Sequence, residues 1–200
     1  MTKEEEIIIA AEEEFFANGY DACSTAAIAG RAGVTHAMVN YYFRSKEKLF
    51  IRILDTHVYE LLGVLKPLML SDGNVAEVAV NAACAIFDYL SGDRRIPYLL
   101  SDISRTHPDF LLKYKETFET VCADSLRMHR ERLEKCISEG QVQECTMGDI
   151  YNTVLTLATA PFVAVPLLRN VAGFSEAQIE EYLAARRREM IRIINAGYSI

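Results

Sequence analysis

Several features that define common protein classes are missing from this 200-residue sequence. It contains only 10 glycines and 5 prolines, which excludes collagen-like and low-complexity chains. Its 5 cysteines form no C-x-x-C pair, so the sequence has no zinc-ribbon or thioredoxin-like motif. The H-E-x-x-H, G-x-S-x-G, P-loop and G-x-G-x-x-G motifs are absent, as are the Glu-x-x-His pairs of helical di-iron enzymes. We therefore expect no metal site, no cofactor and no enzymatic activity.

The sequence also offers little that would direct the chain to a membrane. It begins Met-Thr-Lys-Glu-Glu-Glu, which is too acidic for a signal or transit peptide. Together with the odd number of cysteines, this beginning favours the reducing cytoplasm. Residues 150–168 carry no charge and approach the ~20 apolar residues that cross a bilayer. Because the stretch contains three threonines, one asparagine and two prolines, it predicts a buried or interface helix and no membrane partner.

Apolar residues recur at helical spacing along almost the whole chain, and no run alternates long enough to predict a strand. Ser45 and Ser175 precede acidic first turns and are predicted to cap long helices. Gly19 is predicted to end the first helix after Asn18, because glycine readily adopts the left-handed conformation of a helix stop. The pattern predicts an all-α fold.

Charge is unevenly distributed along the chain. The formal net charge of -7 argues against binding of nucleic acid through bulk charge alone. Residues 24–52, however, contain five basic residues and one acidic residue. This basic island in an acidic chain predicts one anionic partner at one place.

The basic island coincides with a helix-turn-helix pattern. Ser24 and Thr25 are suited to begin a short helix, and Thr35 is suited to cap the next one. Gly33 between them provides a left-handed turn that only glycine makes at low cost, and Val34 can fill the angle between the two helices. Exposed positions near the beginning of the third helix would then face a DNA major groove.

Residues 8–50 resemble the DNA-binding domain of the TetR family of bacterial transcriptional regulators. The matching residues follow in order at the family's spacings: Ile8, Ala10-Ala11, Phe15, Gly19-Tyr20, Ser24-Thr25, Ile28-Ala29, Ala32-Gly33-Val34-Thr35, Tyr42-Phe43 and Ser45-Lys46-Glu47-Lys48-Leu49. The sequence departs from the family's pattern in three places. The first helix begins with Glu4-Glu5-Glu6 rather than basic residues, Ala37 replaces the usual glycine, and Asn40 replaces a frequent tyrosine.

The resemblance implies an all-α protein with two domains. Residues 1–44 would form an N-terminal three-helix helix-turn-helix DNA-binding domain, and residues 45–200 a larger helical ligand-binding and dimerisation domain. The implied function is that of a cytoplasmic homodimer that binds double-stranded operator DNA and regulates transcription, as a repressor that a small molecule releases. Two alternatives stay open: an activator, and a helical ligand-binding protein that has lost DNA binding, which only the acidic first helix supports.

The resemblance also implies which residues contact DNA. Asn40 and its neighbours would meet base edges or phosphates, and Lys46 would pair with phosphate. The full set is Thr25, Thr35, His36, Ala37, Met38, Asn40, Tyr41, Tyr42 and Lys46.

Two further surfaces are expected in the C-terminal part. Aromatic, sulfur-containing and acidic residues of the middle helices are candidates to line an effector pocket, although ordinary core packing explains them equally well. These residues are Phe87, Tyr89, Tyr98, Asp102, Tyr114, Phe118, Cys122 and Met128.

The last two helices are predicted to form a four-helix bundle with their symmetry copies. The predicted interface residues are Leu155, Phe162, Ile179, Leu183, Met190 and Ile193.

Overall fold

The chain is helical almost throughout in a computed structural model, which describes residues 1–69, 71 and 73–198, without the side chains of residues 69, 118, 121, 122 and 124–126. No β-strand occurs within these ranges, and the predicted all-α fold is confirmed. The described helices are α1 (Lys3–Ala22), α2 (Thr25–Arg31), α3 (His36–Phe43), α4 (Lys46–Met69), α5 (Val75–Gly92), α6 (Ile96–Thr106), α7 (Pro108–Leu112), α8 (Lys115–Ser138), α9 (Met147–Asn170) and α10 (Glu176–Tyr198).

Side-chain caps define most of the predicted helix beginnings. Ser45 Oγ accepts a hydrogen bond from the Lys48 amide at 3.1 Å, and Ser175 Oγ accepts one from the Gln178 amide at 3.4 Å. Gly19 interrupts the first helix at the position predicted, because its φ of 77° and ψ of 169° are not helical, and α1 resumes after this kink and ends at Ala22. The last turn of α1, after the kink, places the Tyr20 side chain in the core.

The helices form two compact units. The N-terminal unit comprises Met1–Glu60 and Tyr98–Lys113, and the C-terminal unit comprises Leu61–Pro97 and Tyr114–Ile200. The predicted domain boundary at residue 44 lies within the N-terminal unit and stays a prediction. The first part of α4 belongs to the N-terminal unit because Leu49, Phe50 and Ile53 are buried there, each no more than 2% exposed.

The N-terminal unit is built around aromatic side chains. Phe50 of α4 meets the rings of Phe15 and Tyr20 at 4.9 Å each, and Phe110 of α7 lies 5.0 Å from Tyr20. Burying a side chain of this size contributes about 1.5–3 kcal/mol. The cluster therefore holds α1, α4 and α7 together, while α2 packs onto α1 and α3 packs onto α2.

The C-terminal unit is organised by α5, α9 and α10, which pack against one another. Phe87 of α5 and Phe162 of α9 meet at 4.8 Å between ring centroids, and Ile179 and Ile194 of α10 are fully buried. At the periphery, Arg187 donates two hydrogen bonds to the Asp88 carboxylate, each 2.8 Å long. The structure thus contains the larger helical body that was predicted.

Two helices of the C-terminal unit, α5 and α9, are long and apolar enough to cross a membrane by length and composition alone. Core helices of globular proteins meet the same criterion, and the mutual packing of α5 and α9 gives them a role inside the unit. Among the described residues, no three histidine, cysteine, aspartate or glutamate side chains cluster as metal ligands.

Gly19 has φ 77° and ψ 169°, a region of backbone conformation that only glycine populates readily. A Cβ atom at this position would lie 3.2 Å from Asp102 Oδ2. We expect Gly19→Ala to lower the free energy of unfolding by about 1–3 kcal/mol, measured by urea denaturation.

Gly30→Ala is the matched control, because Gly30 lies within α2 and nothing lies within 4 Å of the Cβ atom that alanine would add there. This substitution should raise stability by about 0.5–1 kcal/mol through its effect on helix propensity. Equal effects of the two substitutions would contradict a special backbone role for Gly19.

Candidate nucleic-acid interface

The helix-turn-helix consists of α2, a glycine turn and α3. Ser24 Oγ accepts a hydrogen bond from the Ala27 amide at 3.1 Å, and Thr35 Oγ1 accepts one from the Met38 amide at 3.3 Å. Gly33 has φ 62°, which is in the left-handed region. This conformation lets the Val34 amide donate a 3.0 Å hydrogen bond to the Ala29 carbonyl. Both caps and the glycine turn occur at the positions predicted.

Two buried side chains set which face of α3 is exposed. Val39 is 1% exposed and Phe43 is 8% exposed, so the opposite face, with Ala37, Asn40 and Tyr41, lies in solvent. Tyr41 is 70% exposed and Tyr42 39% exposed. These two neighbouring aromatic side chains form an exposed patch on a short helix, which is available to a partner.

The nine residues predicted to contact DNA all belong to the N-terminal unit. Six of them are exposed, and Thr25, Met38 and Lys46 are half-buried. The exposed six are Thr35, His36, Ala37, Asn40, Tyr41 and Tyr42.

Hydrogen bonds connect three of these residues across the two helices. His36 Nε2 lies 2.8 Å from Thr25 Oγ1, and His36 Nδ1 lies 3.4 Å from Asn40 Nδ2. The spacing of four residues between His36 and Asn40 places both on one side of α3. The contact with Thr25 spans the turn and has no comparable signal in the sequence.

Lys46, whose predicted phosphate contact stays a prediction, makes a set of hydrogen bonds within the protein. Its ammonium donates hydrogen bonds to the carbonyl oxygens of Tyr20, Asp21 and Cys23, at 3.0, 3.5 and 3.1 Å. It also lies 4.3 Å from the centroid of the Tyr20 ring. An ammonium has three hydrogens, so these carbonyls at the end of α1 use all of them.

The basic island is also smaller in the structure than in the sequence. Arg31 forms a 2.6 Å ion pair with Glu14 of α1, and Lys46 is engaged as described above. Arg44, Lys48 and Arg52 are exposed, and no ion pair of theirs occurs in the described part of the chain. These three cations were not among the predicted DNA contacts, although their charge was visible in the sequence.

Arg44 also has an unusual backbone conformation. Its φ is 66°, and the Ser45 amide donates a 2.7 Å hydrogen bond to the Phe43 carbonyl. The bond closes a three-residue γ-turn of the strained kind with positive φ. This turn separates α3 from α4 over only two residues, Arg44 and Ser45.

Cys23, whose carbonyl binds Lys46, has a thiol in a residue that is 4% exposed. Burial raises the pKa of this thiol to about 11, with a smaller contribution from the Glu14 carboxylate. Burial also raises the pKa of the Cys84 and Cys145 thiols. These three thiols stay protonated at neutral pH, which makes them poor nucleophiles.

The predicted pocket residues are distributed over both units, and the pocket stays a prediction. Tyr98 and Asp102 belong to the N-terminal unit, and the others belong to the C-terminal unit. Phe87 and Tyr114 are buried, Tyr89 and Met128 half-buried, and the side chains of Phe118 and Cys122 lie outside the described residues. Four cavities in the described parts have volumes of about 450, 210, 310 and 360 Å³, and none of these four is lined by a residue of the predicted pocket.

The predicted dimer residues divide into two groups. Phe162, Ile179, Leu183 and Met190 are no more than 4% exposed, because they face the interior of the unit. They cannot provide an external apolar face, which corrects that part of the prediction. Leu155 and Ile193 are exposed, and Val163 and Leu167, which were not predicted, are 54% and 62% exposed.

Comparison with known proteins gives the following similarities. Residues 7–53 match the model of the family described as bacterial regulatory proteins, tetR family. The chain is 30% identical over 139 residues to the HTH-type transcriptional activator FasR of Mycolicibacterium smegmatis, an alignment that covers 64% of this chain. The chain spans 63% of the length of that activator.

Solved structures share the whole fold at low sequence identity. The ketosteroid transcriptional regulator KstR2 of Mycobacterium tuberculosis has a TM-score of 0.69 at 17% identity, covering 100% of this chain and 96% of its own. A tetR-family regulatory protein from Rhodococcus RHA1 has a TM-score of 0.67 at 17% identity, covering 100% of both chains. The fatty acid degradation regulator FadR of Bacillus halodurans has a TM-score of 0.60 at 18% identity, covering 96% of this chain and 95% of its own.

The position of Lys46 generates a prediction about stability. We expect Lys46→Met to lower the free energy of unfolding by about 1–3 kcal/mol, because it leaves three carbonyls at and just after the end of α1 without their charged donor. Lys48→Met is the matched control, since Lys48 is exposed, and it should change stability by less than about 0.5 kcal/mol. Urea denaturation measures both, and equal stabilities would show that Lys46 is not a structural cap.

Proposed function

Because this chain belongs, through its N-terminal domain, to the TetR family of bacterial regulatory proteins, we propose that it regulates transcription by binding double-stranded operator DNA as a homodimer. The observation that carries the proposal is the exposed face of α3. Two caps and a glycine turn hold this helix in place, and its buried side leaves Asn40 and Tyr41 in solvent. A short helix in this arrangement fits a major groove.

Contacts with DNA divide between bases and backbone. Asn40 and its neighbours on α3 read base edges, since amide and apolar side chains distinguish bases in the major groove. Tyr42 and the exposed cations Arg44, Lys48 and Arg52 meet phosphates, which position the protein without reading sequence. The net charge of -7 limits non-specific binding, so base readout provides a large share of the discrimination.

Regulation by a small molecule is the second part of the proposal. An effector that binds the C-terminal unit favours a conformation unable to hold DNA, and it releases a repressor from its operator. The effector must bind that conformation better by a few kcal/mol for the release to be effective. No metal or other cofactor takes part, and the protein acts in the cytoplasm.

Activation of transcription is the second candidate. It is supported by the similarity to FasR, which is described as an activator. A reporter gene behind the protein's own operator distinguishes the two, because a repressor lowers its expression and an activator raises it. A helical ligand-binding protein without DNA affinity would leave the reporter unchanged.

Base and phosphate contacts should respond differently to mutation. We expect Asn40→Ala to cost about 1–3 kcal/mol of binding free energy on the operator and little on a scrambled duplex. Lys48→Met should weaken binding to both duplexes and reduce the log–log salt slope by about one. Fluorescence anisotropy titrations at several salt concentrations measure these effects, and equal losses for the two variants on both duplexes would contradict the assignment.

A homodimer through α9 and α10 should depend on the exposed apolar side chains. We expect Leu167→Glu to weaken the dimer by about 100-fold or more, because an unpaired carboxylate in an apolar interface costs several kcal/mol. Leu112→Glu is the matched control, since Leu112 is 65% exposed and lies in the N-terminal unit. Light scattering measures the mass, and a wild-type mass near 22.5 kDa at micromolar concentration would refute the homodimer.

A further inference from the structure

Both ring nitrogens of His36 lie within hydrogen-bond distance of a polar side chain, and the tautomer of the ring decides which partner donates. In the orientation of the Asn40 amide in the structure, its Nδ2 lies 3.4 Å from His36 Nδ1, and since an amide nitrogen only donates, Nδ1 of the neutral ring is the acceptor in this arrangement. The proton of the neutral ring is then on Nε2. Nε2 therefore donates to Thr25 Oγ1, 2.8 Å away.

This arrangement determines what Thr25 and Asn40 present to solvent. Thr25 Oγ1 accepts from the ring, so its own hydroxyl hydrogen remains available to donate. Asn40 uses one amide hydrogen on His36, which leaves Oδ1 and the second amide hydrogen side by side. An acceptor beside a donor is complementary to the N6 amino group and N7 of adenine.

We infer that His36 is a positioning residue for base readout, which fixes the Asn40 amide in the orientation that selects adenine. The inference rests on the proposed function, in which α3 enters the major groove of an operator. Asn40 is exposed, and an exposed amide without a partner rotates between two orientations that exchange its oxygen and nitrogen. The bond to Nδ1 selects one of them before DNA is bound, which lowers the cost of ordering the side chain.

A purely structural role for His36 would depend on a different ring nitrogen from a role in positioning Asn40. Joining α2 to α3 requires only the bond from Nε2 to Thr25, whereas positioning Asn40 requires the acceptor at Nδ1. Two substitutions separate these roles. His36→Asn places a carbonyl oxygen near the position of Nδ1 and gives up the bond to Thr25. His36→Gln places an amide nitrogen near the position of Nε2 and gives up the acceptor for Asn40.

The experiment uses the full chain and DNA duplexes that the wild-type protein selects from a random-sequence library. Each base pair of the selected site is then replaced in turn, and dissociation constants are measured for wild type, Asn40→Ala, His36→Asn, His36→Gln and the double variant. Urea denaturation of every variant verifies folding.

Asn40→Ala should reduce the preference for adenine at one base pair by about tenfold or more. His36→Gln should reduce that same preference by about tenfold and leave the other positions within about twofold. His36→Asn should keep it within about twofold of wild type. In the Asn40→Ala background, His36→Gln should have no further effect at that base pair.

Several results would overturn the inference while leaving the proposed function intact. These are an unchanged adenine preference in His36→Gln, a loss in His36→Asn as large as that in His36→Gln, or a preferred base other than adenine at the Asn40 position. If the wild-type protein selects no duplex sequence from the library, the proposed function fails, and the inference fails with it.

Discussion

The contact between Tyr20 and Phe50 joins the end of α1 to the beginning of α4, and the geometry of the N-terminal unit depends on it. Their rings meet edge-on at 4.9 Å, and Lys46, one turn before Phe50, donates to the carbonyl of Tyr20. Apolar burial and a charged cap thus act on the same helix end. Because α2 and α3 lie in sequence between these two anchors, their ends are held at a short and defined separation.

Within that frame, the orientation of α3 results from a few buried atoms. Val39 and Phe43 are spaced four residues apart and occupy the inner side of the helix. Their burial forces Asn40 and Tyr41 outward, where neither contributes to the core. Aromatic side chains that stay exposed beside a buried core are characteristic of functional surfaces.

The C-terminal unit shows how one apolar helix can serve two purposes. Helix α9 buries Val154, Phe162 and Val165 against the unit's own core, and it leaves Val163 and Leu167 in solvent. A helix that is apolar on all sides must be covered on all sides to avoid exposing a large apolar patch. In the proposed homodimer, a second copy of the chain supplies the remaining cover.

Local sequence by itself determined the helix-turn-helix, because each of its signals acts within a few residues. Ser24 and Thr35 cap the helices that follow them, and Gly33 provides a positive φ that other residues resist. The continuation of α1 past Gly19, the position of the unit boundary and the partner of Lys46 were decided only by tertiary structure. The carbonyl of Tyr20 is 26 residues from Lys46 in sequence, and spacing along the chain does not indicate such a pairing.

The orientation of α10 was likewise decided only by tertiary structure. Helical periodicity identified an apolar stripe, and only packing against α5 and α9 showed that Ile179 and Met190 face inward. A stripe of this kind has the same pattern whether its own chain or a second copy covers it, because burial depends on what is nearby in space rather than in sequence.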